Sequence, residues 1–176
     1  SVQSIATTGN VGEFCSMAIV NSRPAIVYRD KTNKNVKYVR ANNADGTSWG
    51  TPVTVHGEDG LEFELMVINN IPVVAYRTDN TDTGDKDLVY IAAGDLNGAT
   101  WGTRQIVDGA SLETGRDLSL ASINGSPAIA YRDLTNTDIK YTRMASDNTA
   151  PSTTSFTRKT PATQNTSADQ LTFLAT

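Results

Sequence analysis

Apolar residues along this chain fall in short runs that return in fixed groups. Phe63–Asn69 holds one such run, Asn69-Asn70-Ile71-Pro72 interrupts it, and Val73-Val74-Ala75-Tyr76 resumes it. Two β-rich runs joined by a tight polar link predict a hairpin. Asn124-Gly125 marks the same link further on, where both residue types tolerate positive φ. The proline that opens each second run fits as well, since a strand's first residue need not donate to the ladder. A third strand follows at Val36–Arg40, Leu88–Ala92 and Ile139–Arg143. A loop then leads to an aromatic residue (Trp49, Trp101 or Phe156) and a fourth strand, as at Pro52–Val55 and Arg104–Val107. No stretch carries helical periodicity.

The group is a repeat. Gly12–Asn21–Pro24–Tyr28–Arg29, Gly60–Asn69–Pro72–Tyr76–Arg77 and Gly115–Asn124–Pro127–Tyr131–Arg132 share every internal spacing. Four-stranded antiparallel meanders recurring at a period of about 50 residues predict an all-β fold of propeller-type blades. The expected blades span about 12–59, 60–111 and 115–163, with a lone strand near 2–8 and another near 171–175. Closed propellers usually have about 4–8 blades. Three units therefore read as part of a longer propeller, or as a chain whose bare strand edges pair with other copies of itself in a ring or filament.

Composition narrows the partners. The chain has 176 residues and a formal net charge of −4. It shows no basic stripe of the kind a phosphate backbone needs, which argues against nucleic acid. It has no apolar run long enough to insert in a bilayer as a helix. Cys15, the single cysteine, sits in an apolar run and reads as a buried core residue. The single histidine, His56, reads as a loop residue and cannot build a multi-histidine metal site. A surface rich in Thr, Asn, Asp, Gly and Ser suggests an extracellular, cell-surface or virion setting. The chain begins at Ser1 rather than Met, which reads as processing or as excision from something longer.

The loops Asp45-Gly46-Thr47-Ser48-Trp49 and Asn97-Gly98-Ala99-Thr100-Trp101 resemble the Asp-box turns of sialidase-type propellers. The whole unit is similar to blade repeats of large secreted bacterial proteins. An Asp box places one residue between its Asp and Gly, whereas Asp45 and Gly46 are adjacent, and the third unit lacks both Gly and Trp between Ser146 and Phe156. The resemblance implies the propeller fold. It also raises a sialidase-like glycoside hydrolase, a family that uses an arginine triad, a Tyr–Glu pair and an acid/base Asp. Here the three arginines sit at equivalent repeat positions, and no Tyr–Glu pair matches by motif.

Strand direction alternates in a meander, so the links between second and third strands share one face with the links between blades. That face carries the candidate ligand-binding residues Tyr28, Arg29, Asp30, Tyr76, Arg77, Tyr131, Arg132 and Asp133. Arginine forks suit carboxylates and sugar hydroxyls. They equally suit tying a blade to a neighbouring acid, and even recurrence favours scaffolding over catalysis. No catalytic residue is assigned. Asp79, Asp82, Asp85 and Asp87 form an acid-rich loop of the kind that can hold calcium, with spacing unlike an EF-hand. The sequence reads as a non-enzymatic binding or self-assembly module, with a sialidase-like hydrolase or glycan-binding lectin as the alternative.

Overall fold

The computed structural model describes residues 2–79, 86–109 and 113–144, and the backbone of 156–159. These residues form strands and no helix, in three four-stranded sheets. The first sheet contains β1 (Val11–Val20), β2 (Arg23–Asp30), β3 (Asn35–Arg40) and β4 (Val53–His56). The second contains β5 (Gly60–Ile68), β6 (Ile71–Thr78), β7 (Leu88–Ala92) and β8 (Gln105–Asp108). The third contains β9 (Arg116–Ile123), β10 (Ser126–Asp133), β11 (Asp138–Met144) and β12 (Phe156–Lys159). Each sheet is an antiparallel meander in chain order.

The predicted hairpins close on two-residue turns. Asn21-Ser22, Asn69-Asn70 and Asn124-Gly125 all have positive φ at both residues, the twist that matches right-handed strands. A bulge recurs in each first strand. Phe14, Glu62 and Asp117, at the same repeat position, have φ of 51°, 54° and 50°. Each lies where the pairing register slips.

Side-chain alternation in the second sheet feeds two cores. Val74, Tyr76, Val89 and Ile91 pack with Ala25, Val27, Val36 and Tyr38 of the first sheet. Val73, Ala75, Leu88 and Tyr90 pack with Leu118, Leu120, Ile129 and Tyr131 of the third. A strand buried on both faces reads as a continuous apolar run, as Val73–Tyr76 does, and each fully buried Val or Ile contributes about 1.5–3 kcal/mol. A Cβ on Gly60 would lie 2.8 Å from Tyr76 and 2.9 Å from both Phe63 and Val36. First and second sheets thus converge closely at that glycine.

Several sequence expectations change. Residues 2–8 form no strand, because no described strand runs beside them to pair with. Residues 171–175 lie outside the described residues, as do 145–155 and 160–163 of the third unit. His56 ends β4 and is half-buried rather than a loop residue. Phe156 lies within β12 rather than ahead of it. Cys15 is exposed, not buried. Its counterparts Phe63 and Leu118 are covered by a preceding sheet, and no described sheet lies on that side of Cys15.

Candidate functional site

The Tyr-Arg elements sit where each sheet meets the next. Arg29 is buried. Its Nε and Nη2 donate to the two oxygens of Asp59 at 2.7 and 2.5 Å, a fork-to-carboxylate pair. Asp59 lies in the link that enters the second sheet. Arg29 also reaches Asp79 beyond β6 and Glu13 of β1, both at 3.0 Å. Arg77 repeats the arrangement one unit on. Its Nη2 donates to Glu113, in the link to the third sheet, at 2.5 Å, and Glu113 also accepts from Lys86 at 3.3 Å. The loops expected to share one face are thus brought together around Arg29 and Arg77; Arg29 makes a full fork, whereas Arg77 bonds Glu113 through Nη2 and its buried Nε has no hydrogen-bond partner among the described residues.

Arg132 differs. It is exposed, and among the described residues no acid lies within ion-pair distance of it. Across the strands it faces Arg116, where Arg29 faces Glu13. The tyrosines turn inward: Tyr28, Tyr76 and Tyr131 are buried. Burial pushes the phenols of Tyr28 and Tyr76 up, with Asp30 adding to the effect at Tyr28.

The aspartate after the arginine caps a turn. Asp30 accepts from the backbone and side-chain N–H of Asn33 at 3.0 and 2.8 Å. Asp133 does the same with Asn136 at 3.1 and 2.8 Å. Of the calcium candidates, Asp82 and Asp85 lie outside the described residues. Asp79 faces Arg29, and the Asp87 backbone N–H donates to Thr78. Among the described residues no group of three or more His, Cys, Asp or Glu is placed to hold a metal ion.

One buried cluster carries no motif in the sequence. Lys140 of β11 is 2 % exposed and contacts Asp133, 0 % exposed, in its own sheet. It also donates to Asp108 of β8 at 3.2 Å, and Tyr131 Oη donates to the same Asp108 oxygen at 2.7 Å. Its counterparts in the other sheets are Lys37, which bonds Thr54 near the surface, and the buried Val89. A lone lysine on a strand carries no sequence sign of burial, since the facing Asp108 comes from another sheet.

On the opposite side, the Trp loops are held by residues that precede the expected motif. Asn43 Oδ1 accepts from the N–H of Thr47, and Asp95 accepts from the backbones of Asn97, Ala99 and Thr100. Trp49 and Trp101 donate back to Gly46 and Gly98 carbonyls at 2.9 and 3.0 Å. Gly98 has φ +72°, and a Cβ there would lie 2.7 Å from the Tyr38 ring, so the loop packs tightly on the first sheet. Beside it, Asn21, Arg23, Arg40, Asn43 and Asn97 line a polar cleft of about 550 Å³.

Two acids link the stability of the fold to pH. Partial burial raises the Asp95 carboxyl, but the bonds from Asn97, Thr100 and Ala99 outweigh it and leave the group below its ordinary 3.8. Glu113 is likewise raised by desolvation, then carried below its ordinary 4.5 by Lys86 and Arg77. A depressed carboxylate stabilises the fold above its unfolded pKa, and that contribution disappears as pH falls through the lower folded value. Melting followed by circular dichroism should therefore show a midpoint that is flat near neutrality and falls from about pH 4.5 downward. A midpoint unchanged down to about pH 3 contradicts these two roles.

Among the described residues, the first and third sheets each leave one face open. On the first sheet, Met17 and Ile19 are 66 % and 61 % exposed, although Leu65 and Val67 at the same repeat positions pack inside. Residues Gln3–Ala6 line a hollow on this face together with Cys15, Ile26, Tyr28 and Val39. On the third sheet, Ile139 is 74 % exposed, while its counterparts Val36 and Leu88 are fully buried. Compared with known proteins, the chain matches no protein-family model and no curated protein.

Proposed function

We propose that the chain is a non-catalytic binding and assembly module, a run of propeller-type blades that docks further sheets of the same kind on its two open faces. A second copy of the chain supplies such sheets. The observation that carries the reading is the repeat equivalence of the open and closed faces. Met17 and Ile19 stand where Leu65 and Val67 are covered, and Ile139 stands where Leu88 is covered. Large apolar side chains grouped on an open face mark interaction surfaces. The first strands β1, β5 and β9 make the closest approach between consecutive sheets, as inner strands of blades around an axis would. The polar surface composition suits an extracellular or particle-surface setting.

Sedimentation velocity tests this reading. The chain should associate reversibly at tens of micromolar or above, in the range of weak contacts. Met17→Asp or Ile139→Asp should each restore the monomer. A wild-type chain that stays monomeric at roughly millimolar concentration would sink the docking reading.

The cleft around Asn21, Arg23, Arg40, Asn43 and Asn97 favours glycan binding as a second reading. Arg23 borders this open polar space and offers a guanidinium fork to hydroxyls, beside Arg40, whose Nε and Nη2 donate to the Val20 and Asn21 carbonyls. A glycan array compared with Arg23→Ala would reveal such binding.

A further inference from the structure

The backbone identifies the position that receives each arginine. Two residues after Arg29, the Lys31 N–H donates to the carbonyl of Asn10 at 3.0 Å. Two after Arg77, Asp79 donates to Asp59 at 3.1 Å, and two after Arg132, Leu134 donates to Glu113 at 2.9 Å. Asn10, Asp59 and Glu113 are therefore one structural position at the entrance to three successive sheets. In the second and third sheets its carboxylate takes the arginine of the sheet before: Asp59 takes Arg29 and Glu113 takes Arg77. Arg132 is the next arginine in this series. It is exposed, faces Arg116 across the strands, and has no acid of the described residues to pair with.

We infer that the open face of the third sheet is a docking site for a β-sheet unit carrying a carboxylate at the Asn10/Asp59/Glu113 position, with Arg132 as its anchor. This rests on the docking reading above and names the partner's chemistry. Ile139 and Ala130 supply the apolar part of the site, and Arg132 supplies the charge that selects the occupant. A second copy of this chain is a poorer fit. It presents the neutral Asn10 where a carboxylate belongs, and Lys31 where Asp79 stands in the second unit. A charged partner makes a stronger fork with arginine than an amide does.

The chain itself can be given the missing acid. Asn10 is exposed, and its backbone bonds to Thr32 and Lys31 do not involve its side chain, so Asn10→Asp should leave the fold in place. Wild-type protein is immobilised, and two analytes are compared by surface plasmon resonance: Arg132→Ala, and Arg132→Ala with Asn10→Asp. The second should bind at least about tenfold more tightly in low salt, with the advantage shrinking in high salt. The advantage should vanish on immobilised Arg132→Ala. Equal affinity of the two analytes, no binding by either, or an advantage that persists without Arg132 overturns the inference. Lys31→Asp, which places a carboxylate at the Asp79 position, gives a second route to the same comparison. Immobilised Ile139→Asp separates the two levels. If the neutral analyte binds wild type and loses binding there, the docking reading holds whatever the acid does.

Discussion

Lys140→Met lowers the stability of the protein by about 3–5 kcal/mol, the cost of leaving buried charges without their partner. The substitution leaves the carboxylates of Asp108 and Asp133, 2 % and 0 % exposed, without the ammonium that joins them. Methionine fills the space, so the loss reports charge rather than packing. Because Asp108 belongs to the second sheet and Lys140 to the third, the damage falls on the joint between sheets. Urea unfolding followed by fluorescence measures it. The double substitution Asp133→Thr with Lys140→Val copies the second unit, where Thr78 and Val89 occupy these positions. Its loss should be smaller than the sum of the single losses by roughly 1–3 kcal/mol, since contacting residues couple. A loss under about 1 kcal/mol for Lys140→Met would show that the cluster contributes little.

Arg29→Ala should cost about 3 kcal/mol, at the lower end for a buried pair because Asp79 and Glu13 are partly solvated. Among the described residues, the Asp59 carboxylate, 6 % exposed, then keeps only the bond from the Gly60 N–H. Arg29→Lys keeps the charge but not the fork, and should recover only part of the loss. The matching change at Arg132 should alter stability by no more than about 0.5 kcal/mol, because an exposed side chain without a partner among the described residues has little to lose. This contrast between equivalent arginines is the sharpest sign that the repeat's charge acts between units. If Arg132→Ala destabilised the isolated chain as much as Arg29→Ala, the tie would lie within each unit instead.

Much of the fold is legible in the residues. The shared spacing from glycine to Tyr-Arg places the hairpins, and the Asn-x-x-Pro turns adopt the positive φ that asparagine tolerates. Even the run Val73–Tyr76, apolar at consecutive positions, declares a strand covered on both sides. The candidate site was half legible. Arg29 and Arg77 stand out by their recurrence, and an arginine fork suits a tie to a neighbouring acid. Their partners Asp59 and Glu113 were not separable from other acids in the links, because pairing across sheets leaves no fixed spacing in the chain. Asn43 and Asp95 escape a sequence reading for a nearer reason: the Asp-box resemblance begins at Asp45 and Asn97, two residues after them.

Local physics therefore determined strands, turns and the repeat, since alternation, turn chemistry and spacing act over a few residues. What covers each face depends on neighbours far along the chain, so only the tertiary structure decided it. It made Cys15 exposed while Phe63 and Leu118 are buried. It drew Lys140 inside and left Arg132 open. The same sequence element has different energetics at the three positions because a sheet follows the first two and no described sheet follows the third.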